Sequence, residues 1–286
     1  MTQREKPQPK ARPMSEPDSA PLHQPLGHRR GWRRDGPTVT AIDDILAEEV
    51  PIAFVYNGIS HAVMMATPAD LEDFALGFSL AEGIIDAAGE LREVERQDHA
   101  SGIELTLTIP ASRFARLKDR RRALTGRTGC GLCGVDSLEG AIRPLPPLAP
   151  GPEVSARAIA TAMAGLAEGQ VLNRESHAVH AAAWAGLDGR ILLLREDVGR
   201  HNAVDKLTGA LARGGFDPAA GFLAVTSRCS YEIVHKAALA GITAIAAVSA
   251  PTGFAVRLAE AANVALIAFA RGERHTAFTA PERLTP

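Results

Sequence analysis

The chain has 286 residues, of which 46% are hydrophobic, 22% charged and 5% aromatic, with a formal charge of −2. That composition supports a buried core and excludes a wholly disordered chain, a collagen-like fibre and a small disulfide-stapled scaffold. Near-neutrality gives no polyelectrolyte signal for duplex nucleic acid, and three cysteines are too few for a disulfide framework.

Residues 1–36 are rich in Pro, Arg and Lys, lack the apolar core of a secretory signal, and read as a disordered tail. Ordered structure is expected from about Thr38, in an N-terminal α+β part over residues 37–143. The apolar runs 51–56 and 59–66 flank Asn57-Gly58, a pair suited to the positive φ angles of a tight hairpin. Thr67, Pro68 and Asp70 then look like a helix start, with Thr67 as N-cap, and Gly83 marks the stop. Residues 103–109 alternate as a half-buried strand.

A basic segment follows, holding Arg113, Arg116, Lys118, Arg120, Arg121, Arg122 and Arg127, and it leads into Gly129-Cys-Gly-Leu-Cys-Gly134. The Pro-rich stretch 144–152 is a stiff connector. Beyond it, residues 153–286 alternate helix and strand: helices over 155–166, 202–213, 231–240 and 254–262, strands over 177–184, 191–194, 222–226, 244–248 and 265–269. This rhythm predicts an α/β fold with a three-layer αβα core and a largely parallel sheet. The longest apolar stretch is broken by Gly241, Pro251 and Gly253, so no membrane span is expected, and the chain reads as a soluble cytoplasmic protein.

Cys130 and Cys133 admit four readings. They can be half of a zinc site, a thioredoxin-like redox pair, two packed thiols, or a carrier loop whose thiolate takes and releases sulfur. No second Cys pair is present to complete a metal site. Glycine on both sides suits a thiol that must travel between a donor and an acceptor. The preceding basic run suits an anionic persulfide, although by itself such a run is usually a solvated helix face.

Four strand ends carry polar loops, and ligands of open α/β sheets bind at that edge. The first loop holds Arg195, Glu196, Asp197, Arg200, His201, Asn202 and Asp205, and also reads as an ion-paired helix cap with Asn202 at its start. The others hold Ser227, Arg228 and Cys229, then Ser249 to Thr252, then Phe269, Ala270, Arg271, Gly272, Glu273 and Arg274. Arg200, His201, Asn202, Ser227, Arg228 and Thr252 are candidate cofactor-binding residues, with Arg271 and Arg274 available for phosphate. Cys229 is expected to be inert.

These motifs together resemble the FdhD family of formate dehydrogenase accessory proteins. The match runs over about residues 40–285 through Gly129-Cys-Gly-Leu-Cys-Gly134, Glu196-Asp-Val-Gly-Arg-His-Asn-Ala-Val-Asp-Lys206, Thr226-Ser-Arg-Cys-Ser230, Ser249-Ala-Pro-Thr-Gly253 and Phe269-Ala-Arg-Gly272. The resemblance implies a homodimeric persulfide sulfurtransferase with a cytidine deaminase-like core. It would take sulfur from a cysteine desulfurase and pass it to the molybdenum (or tungsten) bis-molybdopterin guanine dinucleotide of a formate dehydrogenase apoprotein. It also implies Cys130 as carrier, Cys133 as its partner, and 269–274 against the guanine dinucleotide, with no resident metal. The zinc deaminase signature is missing, since no His is followed by x-Glu and Cys130 follows Gly rather than Pro. A dithiol–disulfide redox protein using Cys130 and Cys133 is the alternative function.

Overall fold

The computed structural model describes residues 23–125 and 145–286; Cys130 and Cys133 lie outside the described residues. The first element is an antiparallel ribbon of β1 (Leu26–Asp35) and β2 (Thr38–Ala47), turned at Gly36 with φ of 58°. This corrects the expectation of a disordered tail up to residue 36. The Arg-rich composition of β1 hides a cross-strand match to an acidic strand: Arg29 pairs in register with Asp44 and Arg30 with Asp43, while Arg29 also binds Glu48.

A four-stranded sheet follows, in the order β4-β3-β6-β5, from β3 (Val50–Tyr56), β4 (Ile59–Ala66), β5 (Glu93–His99) and β6 (Gly102–Thr108). Asn57 (φ 45°) and Gly58 (φ 81°) make the hairpin turn that the Asn-Gly pair predicts. Helix α1 (Leu71–Ala81) covers one face, with Phe74 and Phe78 closing on Phe54 at centroid distances of 5.1 and 4.5 Å. Each fully buried ring of this kind contributes about 1.5–3 kcal/mol. Helix α2 (Ala111–Thr125) leads out of this part. Helix α1 does not start at Thr67. Its N-cap is Asp70, in the left-handed region at φ 53°, because long-range hydrogen bonds claim Thr67 instead: its N–H donates to Asp197 (3.0 Å) and its Oγ1 accepts from Val198 (3.1 Å).

The larger part is a six-stranded sheet in the order β13-β12-β11-β10-β8-β9. After β7 (Val154–Ser155), α3 (Ala156–Gly169) is capped by the Ser155 hydroxyl, and the short α4 (Val171–Ser176) follows. Then come β8 (His180–Gly186), β9 (Ile191–Asp197), α5 (Arg200–Gly214), β10 (Gly221–Val225), α6 (Tyr231–Leu239), β11 (Ala244–Ala247), α7 (Gly253–Ala261), β12 (Ala265–Arg271), β13 (Arg274–Ala277) and β14 (Leu284–Thr285). Helix α3 packs with Ile159, Ala162 and Leu166 on one face of the sheet, against Phe222, Ala246 and Ile267. Helices α5, α6 and α7 cover the other, where Leu207, Ile233 and Ala259 meet Trp184, Leu223 and Ile245. The αβα layering is therefore as expected, but the sheet is mixed rather than largely parallel. Only β10–β11 and β11–β12 pair parallel; β9–β8, β8–β10 and β12–β13 are antiparallel.

The two parts join where α1 crosses α5. A Cβ on Gly77 would lie 1.7 Å from the Asp205 carbonyl oxygen, and one on Gly209 would lie 1.9 Å from the Asp73 carbonyl oxygen. The helix backbones touch through paired glycines, and charge closes the contact: Arg195 and Arg213 both bind the buried Asp73 carboxylate, at 2.6 and 2.7 Å.

Candidate functional site

Strand directions decide which loops meet. β9, β10, β11 and β12 all run the same way, so residues 197–201, 226–230, 248–252 and 269–271 emerge at one edge of the sheet. Hydrogen bonds stitch them into a continuous rim. Val248 N donates to Val225 O (3.0 Å), Cys229 N to Ala250 O (3.2 Å), Thr252 N to Cys229 O (3.0 Å) and Phe269 N to Ser249 O (3.3 Å). The N-termini of α5, α6 and α7 open onto the same rim, with Gly199, Ser230 and Thr252 as N-caps. Exposed N–H groups at such ends favour anions.

The expected residues divide into two kinds there. Arg200 and His201 occupy the first turn of α5, partly exposed, while Arg228, Thr252, Phe269, Arg271, Gly272, Glu273 and Arg274 are exposed along the rim. Phe269, Arg271, Glu273 and Arg274 line an open depression around the turn from β12 to β13, where Gly272 has φ of 57°. Phe269 itself sits at φ 54°, beside a register shift in the β12–β13 ladder, with its ring 6.1 Å from that of Phe278. Positive φ is costly for an aromatic residue, and it leaves this ring on the surface. The Arg271 Nε lies 3.4 Å from the Val248 carbonyl oxygen, tying this loop to the next strand end.

Asn202, Ser227 and Ala270 are buried. Asn202 is not the N-cap of α5, as the sequence suggested; the helix begins two residues earlier. Its amide donates instead to Met65 O (2.9 Å) and to Asp197 (3.0 Å), fastening the small sheet to this loop. Ser227 donates to the carbonyl of its neighbour Arg228 (3.0 Å) rather than capping α6. Other charges in this motif also have structural partners. Glu196 accepts from the first N–H groups of α4, at Leu172 (2.8 Å) and Asn173 (2.9 Å), and Asp205 is buried against Lys236 at 2.7 Å. Burial pushes the Asp205 carboxyl up against the pull of Lys236.

Cys229 is fully buried, and burial pushes its thiol up to about 12, so it stays protonated and unreactive. In the basic segment, Arg113 and Arg116 are committed to Asp86 and Glu90, whose carboxyls they hold below the usual range. Those two arginines belong to a paired surface rather than a free cationic patch.

The structure adds one residue that sequence reasoning missed. His180 opens β8, opposite Asp197 in register, and so reaches the rim from the start of a strand rather than its end. It is half-buried; burial first, then the positive charges of Arg200 and His201, lower its pKa and keep the ring neutral. A lone polar residue before an alanine-rich strand was the available signal. No helix among the described residues is long and apolar enough to cross a membrane.

Comparison with known proteins agrees with this architecture. The model of the FdhD/NarQ family matches residues 47–285. The chain is 53% identical over 253 residues to the sulfur carrier protein FdhD of Cupriavidus necator, covering 88% of this chain and 87% of that protein. It is 54% identical over 241 residues to its namesake from Variovorax paradoxus, covering 84% and 87%. A crystal structure from Desulfotalea psychrophila, designated a formate dehydrogenase accessory protein, superposes with a TM-score of 0.71 at 25% identity, covering 91% of this chain and 99% of that one.

Proposed function

The chain belongs to the FdhD/NarQ family, and from that premise we propose that it is a sulfur carrier acting in the maturation of a formate dehydrogenase. Cys130 takes the terminal sulfur of a cysteine desulfurase persulfide: its thiolate attacks that sulfur, a new S–S bond forms, and the desulfurase leaves as a thiolate. Cys133, three residues on, is its partner thiol. The acceptor is the molybdenum bis-molybdopterin guanine dinucleotide, bound as substrate before it enters the apoenzyme. We read the protein as a cytoplasmic, dimeric sulfurtransferase whose core is related to that of cytidine deaminases.

The observation that carries this reading is the convergence of four strand-end loops on one sheet edge, with Arg200, Arg228, Arg271 and Arg274 on three of them. A ligand with two pyrophosphates and two flat bases calls for cations and helix N-termini along a lengthy rim, with an exposed aromatic to meet a base. Phe269 and the arginines beside it have those properties, and Arg200, His201 and Thr252 extend the same edge. Asn202, Ser227 and Ala270 shape it from below.

Intact mass after incubation with a cysteine desulfurase and cysteine tests the carrier reading. Gain of one sulfur, lost in Cys130→Ala along with formate dehydrogenase maturation, is the expected result. Loss of two hydrogens instead would assign the dithiol–disulfide redox role to Cys130 and Cys133. Normal maturation with both cysteines replaced would leave only a cofactor-binding chaperone.

A further inference from the structure

Two exposed surfaces of this chain carry opposite and matching chemistry. The first is the β1–β2 ribbon. Side chains alternate across a strand, so the register puts Arg30, Trp32 and Arg34 on one face with Val39, Ala41 and Asp43. Asp35, at the turn, belongs to the other face. Trp32 is 68% exposed and Val39 50%. The Arg30 guanidinium lies over the Trp32 ring, 5.8 Å from its centroid. Arg34 stands opposite Val39 and has no side-chain partner among the described residues, while Asp43 is met by His28 at 3.6 Å. A two-stranded ribbon has little stability of its own, and a tryptophan and a valine turned to water add none. Each strand has ten residues, which gives the arm a reach of roughly 33 Å.

The second surface is the face of the four-stranded sheet turned away from α1. Phe54 and Leu105 point into the core beneath α1, so Ala53, Val63, Met65, Glu93, Glu95 and Glu104 lie on the opposite side. Val63 is 60% exposed and Met65 46%. In register, Val63 stands beside Ala53 and Ala53 beside Glu104, with Glu95 opposite Thr106 one step along. An apolar stripe on β4 and β3 therefore adjoins an acidic stripe on β6 and β5. Glu93 and Glu95 have no side-chain partner among the described residues, and Glu104 accepts from the Thr106 hydroxyl at 3.3 Å.

We infer that these surfaces join two copies of this chain, the ribbon of one lying on the outer sheet face of the other. Trp32 covers Val63 and Met65, and Arg30 and Arg34 enter among Glu93, Glu95 and Glu104. The inference rests on the dimeric reading above and assigns its surfaces. A two-fold exchange makes every contact twice. Trp and Arg are the side chains on which interfaces depend most, and the carboxylates beside the apolar stripe match the arginines in sign. Duplex nucleic acid suits the ribbon less well: two arginines beside an aspartate neutralise few phosphates, and the whole chain carries −2.

Sedimentation velocity on the full chain tests the assignment. The wild type is expected to be a dimer at micromolar concentration, and Trp32→Ala is expected to raise the dissociation constant by roughly 30-fold or more. The arm variant Arg30→Glu/Arg34→Glu and the face variant Glu93→Arg/Glu95→Arg are each expected to be monomers with the circular dichroism of the wild type. Mixed one to one, they are expected to form a dimer, because each arm then meets a face of opposite charge in both halves of the exchange. If the wild type is dimeric, arm and face variants that remain dimeric separately, or that fail to pair when mixed, overturn the assignment of these surfaces and leave the dimer to another face. A monomeric wild type overturns the dimeric reading and this inference together. An arm variant that stays dimeric but loses binding to a labelled DNA duplex that the wild type binds gives the ribbon to nucleic acid, and overturns the inference as well.

Discussion

Asp197 and Lys206 face each other across 2.7 Å with neither side chain touching solvent. The carboxylate also accepts from Thr67 N, Gly199 N and the Asn202 amide, while the ammonium donates to Thr67 O at 2.9 Å and lies 5.7 Å from the Phe74 ring centroid. Burial pushes the Lys206 ammonium below its usual range. The pair holds the loop that carries Arg200 and His201. Lys206→Met leaves an uncompensated buried carboxylate, and its expected cost is about 3–5 kcal/mol in chemical denaturation. The double variant Lys206→Met/Asp197→Leu should recover part of that loss. A single-variant effect below about 1 kcal/mol would show that the pair does not fix this loop.

The crossing of α1 and α5 admits no side chain. Gly77→Ala and Gly209→Ala each force backbone apart from backbone, and each should destabilise by about 3 kcal/mol or more, at the upper end for overpacking. Gly89→Ala, where nothing lies within 4 Å of the added carbon, is the control. Melting temperatures of the three variants check this, and a tolerated Gly77→Ala would contradict the crossing.

Cys229 should resist alkylation. With its thiol pushed up to about 12 and no exposed surface, iodoacetamide at pH 8 should leave it unmodified until the chain is unfolded. Peptide mapping by mass spectrometry reads this directly. Rapid native labelling of Cys229 would place it among the reactive thiols.

Glu232 sets a modest acid dependence. The hydrogen bond from His201 holds its folded-state pKa below the unfolded value near 4.5, so its stabilisation is complete above that value and is lost as pH falls through the folded one. The side chain is half exposed, which limits the effect to about 0.5 kcal/mol. Wild type and Glu232→Gln should therefore differ in stability at neutral pH and converge in strong acid. A gap that persists below both values would assign the difference to packing rather than charge.

Guanine nucleotide should bind the rim. Arg271→Ala and Arg274→Ala should each weaken that binding by about 1.5–3 kcal/mol, the expected contribution of one charge-assisted contact to phosphate. Titration calorimetry with GDP should show that loss in both variants. Absence of GDP affinity in the wild type would remove the depression around 269–274 from the site.

Much of the fold was legible because periodicity and turn chemistry agree with tertiary demand. The Asn57-Gly58 hairpin, the helices of the larger part and its buried apolar strands follow local rules, and so does the αβα layering. Expectation failed where distant partners override local preference. Thr67 has the chemistry of an N-cap, yet Asp197 and Val198, some 130 residues away, take its hydrogen bonds. The strand β1 looked like a solvated basic tail because its acidic partner lies on the other side of a turn. At the rim, motif spacing identified Arg200, His201 and residues 269–274 as neighbours along one edge. It did not separate surface groups from the buried Asp197, Asn202 and Lys206, since only packing tells a ligand-facing polar residue from a structural one. His180 escaped notice for a topological reason: nothing local announces that β8 runs against its neighbours.

That reversed strand also decides where the molecule can be altered. Because β8 enters at the rim and β9 returns to it, the connecting bend at Leu187 and Asp188 lies at the opposite pole, with Leu187 already facing water. An affinity tag or fluorophore spliced into that bend would report on the protein from its rear, leaving the rim of strand-end loops unencumbered.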